Sequence, residues 1–161
     1  MKQHSGFTLI ELMITLAIAA ILLTVGIPSF QSMFEINRLA TQANELVGAV
    51  NLARSEAIKR GQNVTVQASA GGFQNGWCVY LGADCAGANI VRQFRAMNQM
   101  AVASGGITTL VFNGQGQKAS PAGQVSIRIS PADCTSGMAD RARTISIANT
   151  GRANTTAGAC P

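Results

Sequence analysis

The sequence has few of the residues on which most enzyme chemistry depends. Its 161 residues include one histidine, His4, and only 12% of them are charged. The four cysteines form no Cys-x-x-Cys pair, so their spacing is not that of a zinc site. Asp84, Asp133 and Asp140 are too scattered to form a calcium loop. These absences argue against metal-dependent or histidine-based catalysis, and we expect neither an enzyme nor a cofactor.

Long apolar runs, by contrast, are present near the N-terminus. The 21 residues from Phe7 to Ile27 contain a single ionisable side chain, Glu11. A helix of that length spans about 31 Å, close to the ~30 Å hydrocarbon core of a bilayer. The run is longer than the apolar part of a secretory signal peptide, and no Ala-x-Ala site follows it. We therefore favour a single membrane span over the alternative of a cleaved signal peptide.

Glu11 is exceptional within that run. A carboxylate in hydrocarbon costs several kcal/mol, so an acid at this depth is expected to have a partner. No Lys or Arg lies within a helical turn of it in the sequence. The partner must therefore come from another chain or from a free amine at a newly made N-terminus.

The segment Gly6-Phe7-Thr8-Leu9-Ile10-Glu11-Leu12 resembles the class III signal of type IV pilins and type II secretion pseudopilins. The resemblance implies that a prepilin peptidase cuts between Gly6 and Phe7 and that Phe7 becomes N-methylated. It also implies that Glu11 neutralises the N-terminal amine of a neighbouring subunit during assembly. His4 would leave with the leader, which removes the last candidate for a Ser/His/Asp set.

Beyond the membrane run, apolar residues recur at steps of three and four as far as Ala57, which predicts an amphipathic continuation of the helix. Lys59 and Arg60 followed by Gly61 mark its end, and Pro28 predicts a kink or local melting where the two halves meet. We expect a helix of roughly 54 residues. The predicted segments are a leader (1–6), a transmembrane or filament-core helix (7–28), an amphipathic helix (29–61) and a periplasmic β-rich domain (62–161).

After Gly61 the pattern changes to short β-branched or aromatic segments separated by Gly, Asn, Asp or Pro. Met97–Ala103 has no clear period and is interpreted as a loop or short helix. The predicted class is α+β, with the long helix packed on an antiparallel sheet as in the type IV pilin fold. The predicted strands are Asn63–Ser69, Trp77–Leu81, Asn89–Arg95, Ile107–Asn113, Gln124–Ser130 and Thr144–Asn149.

The cysteines, Cys78, Cys85, Cys134 and Cys160, permit three disulfide connectivities. A domain carried outside the cytoplasm would lie in an oxidising compartment, where pairing is expected. We favour Cys78–Cys85, which closes a short loop, together with Cys134–Cys160, which ties down the C-terminal tail.

Three further segments resemble the FimT/FimU-type minor pilins and the H pseudopilin of type II secretion, which form the GspH/FimT family. They are the Ala53–Ala57 run Ala-Arg-Ser-Glu-Ala, the tripeptide Asn75-Gly76-Trp77, and Gly151-Arg152 near the C-terminus. The resemblance extends along the whole chain, but it is strongest in the first 60 residues.

Some FimT-type members bind DNA through arginines around a C-terminal Gly-Arg-x-Arg motif. Here Gly151-Arg152-Ala153-Asn154 keeps the first arginine and lacks the second. Seven basic residues follow position 85 against two acidic ones, an excess that could neutralise phosphates without reading sequence. No aromatic residue lies among these arginines to stack bases. The candidate DNA-binding residues are Arg128, Arg141, Arg143 and Arg152.

The sequence thus predicts a minor pilin that primes or supports assembly of a type IV pilus. Two alternatives remain open: a DNA-binding minor pilin for natural transformation, and an H-type pseudopilin of type II secretion. The expected location is the bacterial inner membrane, as a single-pass protein with a periplasmic domain, and then the filament. The expected partners are the prepilin peptidase, other minor and major pilins, the inner-membrane assembly platform and, in the second alternative, double-stranded DNA.

Overall fold

The computed structural model describes residues 7–82 and 84–161, without the side chains of residues 25–29. The predicted leader (1–6), including Gly6, lies outside the described residues, and so does the side chain of Pro28. The chain divides into two units, Met1–Asn37 and Arg38–Pro161. Each unit is described by itself below.

One helix, α1 (Leu9–Arg60), accounts for nearly all of the predicted helical region and begins two residues later than expected. Its end follows the predicted signals. Gly61 takes a left-handed conformation with φ of 63°, and the Gln62 N–H donates to the Ala57 carbonyl at 3.3 Å. Arg60 Nε donates to Glu56 Oε2 at 2.7 Å, which is the favourable order for residues four apart.

Within the Arg38–Pro161 unit, α1 buries the stripe that the periodicity predicted. The buried residues follow in steps of four and three: Leu39, Ala43, Leu46, Val50, Ala53 and Ala57. The alanines let strands approach the helix closely, which is the packing that their small size predicts. The earlier members of the same pattern, Phe30, Met33 and Phe34, are exposed, so the predicted apolar face is only partly covered.

The remainder of the larger unit is antiparallel β structure arranged as two sheets. A five-stranded sheet has the order β3-β2-β1-β5-β6, and a four-stranded sheet has the order β4-β7-β8-β9. The strands are β1 (Val64–Ala68), β2 (Trp77–Leu81), β3 (Ile90–Phe94), β4 (Met100–Ala103), β5 (Thr109–Phe112), β6 (Lys118–Ser120), β7 (Val125–Pro131), β8 (Ala142–Ile147) and β9 (Ala153–Gly158).

Both sheets contribute to one core with the buried face of α1. Trp77 is buried between two aromatic rings, stacked on Phe94 at 5.2 Å between centroids and tilted against Phe73 at 6.4 Å. In β7, Val125, Ile127 and Ile129 are buried and alternate with exposed Ser126 and Arg128. The alternation of buried apolar and exposed polar residues therefore holds from Val125 to Ile129, whereas Ser130, whose polarity predicts an exposed position, is buried.

The strand predictions were wrong at three places. Met100–Ala103 is a strand rather than a loop or short helix, because Met100 is buried and the segment pairs with β7. Lys118–Ser120 and Ala153–Gly158 are strands that the sequence did not indicate. The first contains a buried lysine and the second has no large apolar residue, so neither shows the alternation on which the prediction relied.

Two disulfides cross-link the β-rich unit, in the connectivity that we favoured. Cys78 pairs with Cys85, and Cys134 pairs with Cys160, with Cα–Cα distances of 6.4 Å and 5.7 Å. The second bridge joins the segment after β7 to the segment after β9. It therefore fixes the C-terminal residues against the end of the four-stranded sheet.

Candidate functional site

The first turn of α1 is formed by residues of the predicted processing and assembly motif. Thr8 precedes the helix, and its Oγ1 accepts a hydrogen bond from the Glu11 N–H at 3.3 Å. Thr8-Leu9-Ile10-Glu11 is thus a Thr-x-x-Glu capping sequence, in which the hydroxyl satisfies a free N–H group. Glu11 also lies in the first turn of α1, where its negative charge interacts favourably with the positive end of the helix dipole. Its side chain is exposed and available to a partner.

The helical part of the Met1–Asn37 unit exposes almost every large apolar side chain that it carries. Phe7 is 82% exposed. The exposed set on the helix includes Leu9, Ile10, Leu12, Met13, Ile14, Leu16, Ile18, Ile21, Leu22, Leu23, Phe30, Met33 and Phe34. Full burial of each such side chain is worth about 1.5–3 kcal/mol. Exposed apolar side chains in this number indicate an interaction surface.

In the part of the chain that the structure describes, no helix is both long enough and apolar enough to cross a membrane.

Two of the segments that carry the family resemblance meet in the structure. Arg54, from the Ala53–Ala57 run, donates through Nε to the Gly116 carbonyl at 3.0 Å. Gly151 lies against the same group, since a Cβ on Gly151 would come within 2.3 Å of the Gly116 oxygen and 3.2 Å of Arg54 Cδ. Gly151 also has a φ of 78°, in the left-handed region that favours glycine. The glycine of the Gly-Arg motif is therefore required by packing. The sequence could not place this contact, because its members lie 35 to 97 positions apart.

Arg152 follows at the turn into β9 and is exposed. The turn is closed by the Ala148 N–H, which donates to the Arg152 carbonyl at 3.0 Å. Because Ile147 pairs with Ala153 and Arg143 pairs with Ala157, Arg143 lies toward the opposite end of the β8–β9 hairpin. Five strand positions separate the two arginines, which is about 17 Å at ~3.3 Å per residue.

Arg143 does not project freely. It is half-buried, and its Nη1 donates to the carbonyls of Asp140 and Ala142, both at 3.0 Å. Its register partner is the buried Ile129, so Arg143 lies on the inward face of the sheet. These bonds fix the turn that leads into β8. Arg141 lies in the same turn and is also half-buried.

Arg128 projects from the other face of the four-stranded sheet. It is exposed, between the buried residues Ile127 and Ile129, and pairs with Thr144, which in turn pairs with Thr156. Arg128 and Arg143 are thus on opposite faces of one sheet. The structure does not bring the four candidate DNA-binding arginines together as one surface.

Two other basic residues of this half, Arg92 and Lys118, have structural contacts. The Arg92 guanidinium lies 4.8 Å from the centre of the Phe94 ring, within reach of a cation–π interaction. Lys118 is buried and its ammonium donates to the Pro121 carbonyl and, at 2.7 Å, to the Gly123 carbonyl. Burial lowers the pKa of Lys118. The predicted basic excess is therefore partly used to hold loops.

No group of His, Cys, Asp and Glu suited to a metal ion occurs among residues 7–82 and 84–161. The four cysteines are joined as two disulfides, so none of them is available as a nucleophile.

Comparison with known proteins agrees with this description. The family described as type II transport protein GspH matches residues 42–151, and the prokaryotic N-terminal methylation motif matches residues 1–27. A fimbrial protein of Pseudomonas aeruginosa is 39% identical over 69 residues, which cover 43% of this chain and 44% of that protein. The chain therefore spans less than half the length of the curated relatives it matches.

Two crystal structures of the type IV minor pilin FimU of Pseudomonas aeruginosa resemble this chain in fold. Their TM-scores are 0.64 and 0.62, each at 22% identity. The matches cover 74% and 73% of this chain and 89% and 92% of those chains. The predicted type IV pilin fold is confirmed, and the family match covers more than half of the residues. The chain belongs to the family of the type II transport protein GspH, as its FimT/FimU-type motifs indicated.

Proposed function

We propose that the protein is a minor pilin, which is incorporated into a type IV pilus and primes or supports its assembly. The observation that carries the proposal is the set of exposed apolar side chains on α1 between Leu9 and Phe34, most of which lie within the N-terminal methylation motif matched over residues 1–27. In a filament, neighbouring helices would cover this surface, and before assembly the lipid bilayer would cover it.

The location follows from the same proposal. The protein is held in the bacterial inner membrane by its N-terminal helix, and its β-rich domain lies in the periplasm. Both disulfides support this, because such bonds persist in oxidising compartments and are rare in the cytosol. Its partners are the prepilin peptidase, the inner-membrane assembly platform and the other pilins of the filament.

Glu11 has two possible roles that a single experiment can separate. The Thr8 hydroxyl accepts from the backbone N–H of Glu11, and we propose that the Glu11 side chain completes this capping sequence and that its charge neutralises the N-terminal amine of a neighbouring subunit. Glutamine is as suitable as glutamate at this capping position but is uncharged. Glu11→Gln therefore removes the charge and keeps the cap.

We expect Glu11→Ala and Glu11→Gln to be cleaved and held in the membrane but depleted in filaments sheared from cells. Loss of a charge partner in an apolar environment should lower incorporation into filaments roughly tenfold or more, since ~1.4 kcal/mol corresponds to a factor of ten. The ratio of protein in the sheared fraction to protein in the membrane fraction measures this. Glu45→Ala, an exposed acid later on the same helix, is the matched control. Normal recovery of Glu11→Gln would contradict charge pairing and leave the cap as the only role.

A second candidate function is an H-type pseudopilin of a type II secretion system, and the match of residues 42–151 to the GspH family supports it. Deletion of the gene separates the two functions. A minor pilin is needed for surface pili, whereas a pseudopilin is needed for export of secreted enzymes. Loss of secretion with normal piliation would favour the second candidate.

A further inference from the structure

The last strand, β9 (Ala153–Gly158), forms an exposed edge of the four-stranded sheet. Within residues 7–82 and 84–161, β8 is the only strand that pairs with it. The residues from Asn154 to Ala157 are all exposed. An edge strand presents unpaired N–H and C=O groups to which a further strand can bind. No function discussed so far uses this edge.

β9 lacks the features that protect the other strands at the ends of the two sheets. β4 and β6 have only four and three residues, and β3 carries Arg92 and has a register irregularity against β2. β9 has six residues, an uninterrupted register with β8, no charged residue and no proline. Short length, charge, bulges and proline are the usual means by which proteins block pairing at an edge. β9 is therefore the edge best suited to pair with a further strand.

The turn before β9 defines which of its backbone groups face outward. The Ala148 N–H donates to the Arg152 carbonyl at 3.0 Å, so these two residues form a hydrogen-bonded pair. Hydrogen-bonded and non-hydrogen-bonded pairs alternate along an antiparallel ladder. The N–H and C=O groups that point away from β8 are therefore those of Ala153, Thr155 and Ala157. Thr155 lies at the centre of this set.

We propose that β9 pairs with β9 of a second copy of this chain, antiparallel about a two-fold axis at Thr155. In this register Thr155 lies opposite its own counterpart, and Ala153 lies opposite Ala157 of the other copy. Each of these pairs joins residues whose backbone groups face outward, so each exchanges two hydrogen bonds. A two-fold interface requires a self-complementary surface of this kind. The two four-stranded sheets become one continuous sheet.

The charges beside β9 are complementary in this register. Arg152 is exposed and lies opposite Gly158 of the other copy, so the two Arg152 side chains lie at opposite ends of the paired edge. The exposed Asp140 lies in the turn before the residue that pairs with Gly158. Arg141 and Arg143 of the same turn are half-buried, and backbone carbonyls hold the Arg143 guanidinium. Each Arg152 thus approaches the end of the other β9 that has an exposed acid beside it.

The paired edge is small for a protein interface. It engages the six residues of β9 from each copy, whereas stable complexes engage about 20–30 residues a side. We therefore expect a weak, reversible dimer, which a covalent cross-link can trap. The inference goes beyond the minor pilin function and does not depend on it, because it concerns only the Arg38–Pro161 unit.

Cysteine cross-linking of the full-length chain in intact cells tests the register. Cα atoms of a hydrogen-bonded pair lie about 5.5 Å apart, within the ~4.4–6.8 Å range of disulfides. Under mild oxidation we expect Thr155→Cys to form a homodimer on non-reducing gels. Differently tagged copies carrying Ala153→Cys and Ala157→Cys should form a mixed dimer.

Ala153→Cys alone is the matched control. In the proposed register its two copies lie four strand positions apart, about 13 Å at ~3.3 Å per residue, which is too far for a disulfide. The proposal is overturned by equal homodimer yields from Thr155→Cys and Ala153→Cys, or by no homodimer from either. An adduct of Thr155→Cys with a different protein, identified by mass spectrometry in place of the homodimer, would also overturn it.

A proline at the centre of the edge tests whether backbone groups make the contact. The Thr155 N–H points away from β8, so Thr155→Pro removes no bond of the β8–β9 ladder. It removes one central donor from each copy, and we expect the mixed dimer to fall about tenfold. Thr155→Ala keeps both N–H groups and should leave the dimer unchanged.

The fluorescence of the buried Trp77 shows whether Thr155→Pro has folded. Undiminished cross-linking in a folded Thr155→Pro would refute edge pairing. If that variant does not fold, the comparison of Thr155→Cys with Ala153→Cys decides. Refutation of the dimer by either route leaves the minor pilin function standing.

Discussion

Gly151→Ala tests the junction between α1 and the C-terminal hairpin. An alanine Cβ would lie 2.3 Å from the Gly116 oxygen, a distance at which the two segments must move apart. Movement of Gly116 would also strain the hydrogen bond that its carbonyl accepts from Arg54 at 3.0 Å. The φ of 78° adds a conformational cost for any residue with a side chain.

The magnitude follows from two terms. The left-handed conformation costs about 1–2 kcal/mol for alanine, and forcing an extra carbon into a packed site costs about 1–3 kcal/mol. We therefore expect the free energy of unfolding to fall by about 2–5 kcal/mol, against a total of ~5–15 kcal/mol for a domain. For a unit of this size that corresponds to a drop in Tm on the order of 10 °C.

Urea unfolding of the full chain in detergent, followed by Trp77 fluorescence, measures the change. Trp77 is the only tryptophan and is buried in the core of the unit concerned. Gly158→Ala is the matched control in the same hairpin, because a Cβ there meets nothing within 4 Å. A loss below about 0.5 kcal/mol for Gly151→Ala, within the range of ordinary surface changes, would refute this account of the junction.

Three further predictions concern cross-links, pH and DNA. Cys134→Ser opens the bridge with a sequence separation of 26, and Cys78→Ser opens the bridge with a separation of 7. Loop entropy predicts that the free energy of unfolding falls by about 3.5 kcal/mol in the first variant and by about 2.4 kcal/mol in the second. Equal losses in urea unfolding would contradict this. The hydrogen bond from Arg60 lowers the pKa of Glu56 below its ordinary 4.5. The Glu56–Arg60 interaction therefore contributes to stability above pH 4.5, and this contribution is lost as the pH falls through the lowered pKa. NMR titration should show the Glu56 pKa rising in Arg60→Ala. If the domain binds double-stranded DNA, Arg152→Ala should weaken binding and reduce the salt dependence by the equivalent of about one phosphate contact. Arg143→Ala should leave binding unchanged, because the Arg143 guanidinium is held by backbone carbonyls. Equal weakening by the two variants in a fluorescence anisotropy titration would contradict this assignment.

Local signals in the sequence predicted the elements whose pattern is strong. The helix, its C-terminal glycine and the strand Trp77–Leu81 agree with the structure to within two residues. These elements carry either a helical apolar period or a run of aromatic and β-branched residues, so the sequence alone contains most of the information.

The division into two sheets could not be predicted in the same way. The strand Ala153–Gly158 is mostly exposed and has no large apolar side chain. It is a strand because its backbone pairs with Ala142–Ile147, and such pairing between segments leaves little trace in composition. Likewise, nothing in the sequence indicates that Lys118 is buried, since its ammonium is satisfied by carbonyls that only the fold brings near it.

The packing around Gly151 changes what the Gly-Arg motif can say about DNA. Glycine is required at that position by the contact with Gly116 and Arg54, whether or not the protein binds nucleic acid. The presence of Gly151 is therefore explained by the fold, and only the neighbouring arginines are evidence for DNA binding. A Gly151 variant that loses DNA binding would show no more than a displaced hairpin. Loss of binding in Arg152→Ala at an unchanged Tm is the result that would assign the surface, because Arg152 is exposed and its removal leaves the junction intact.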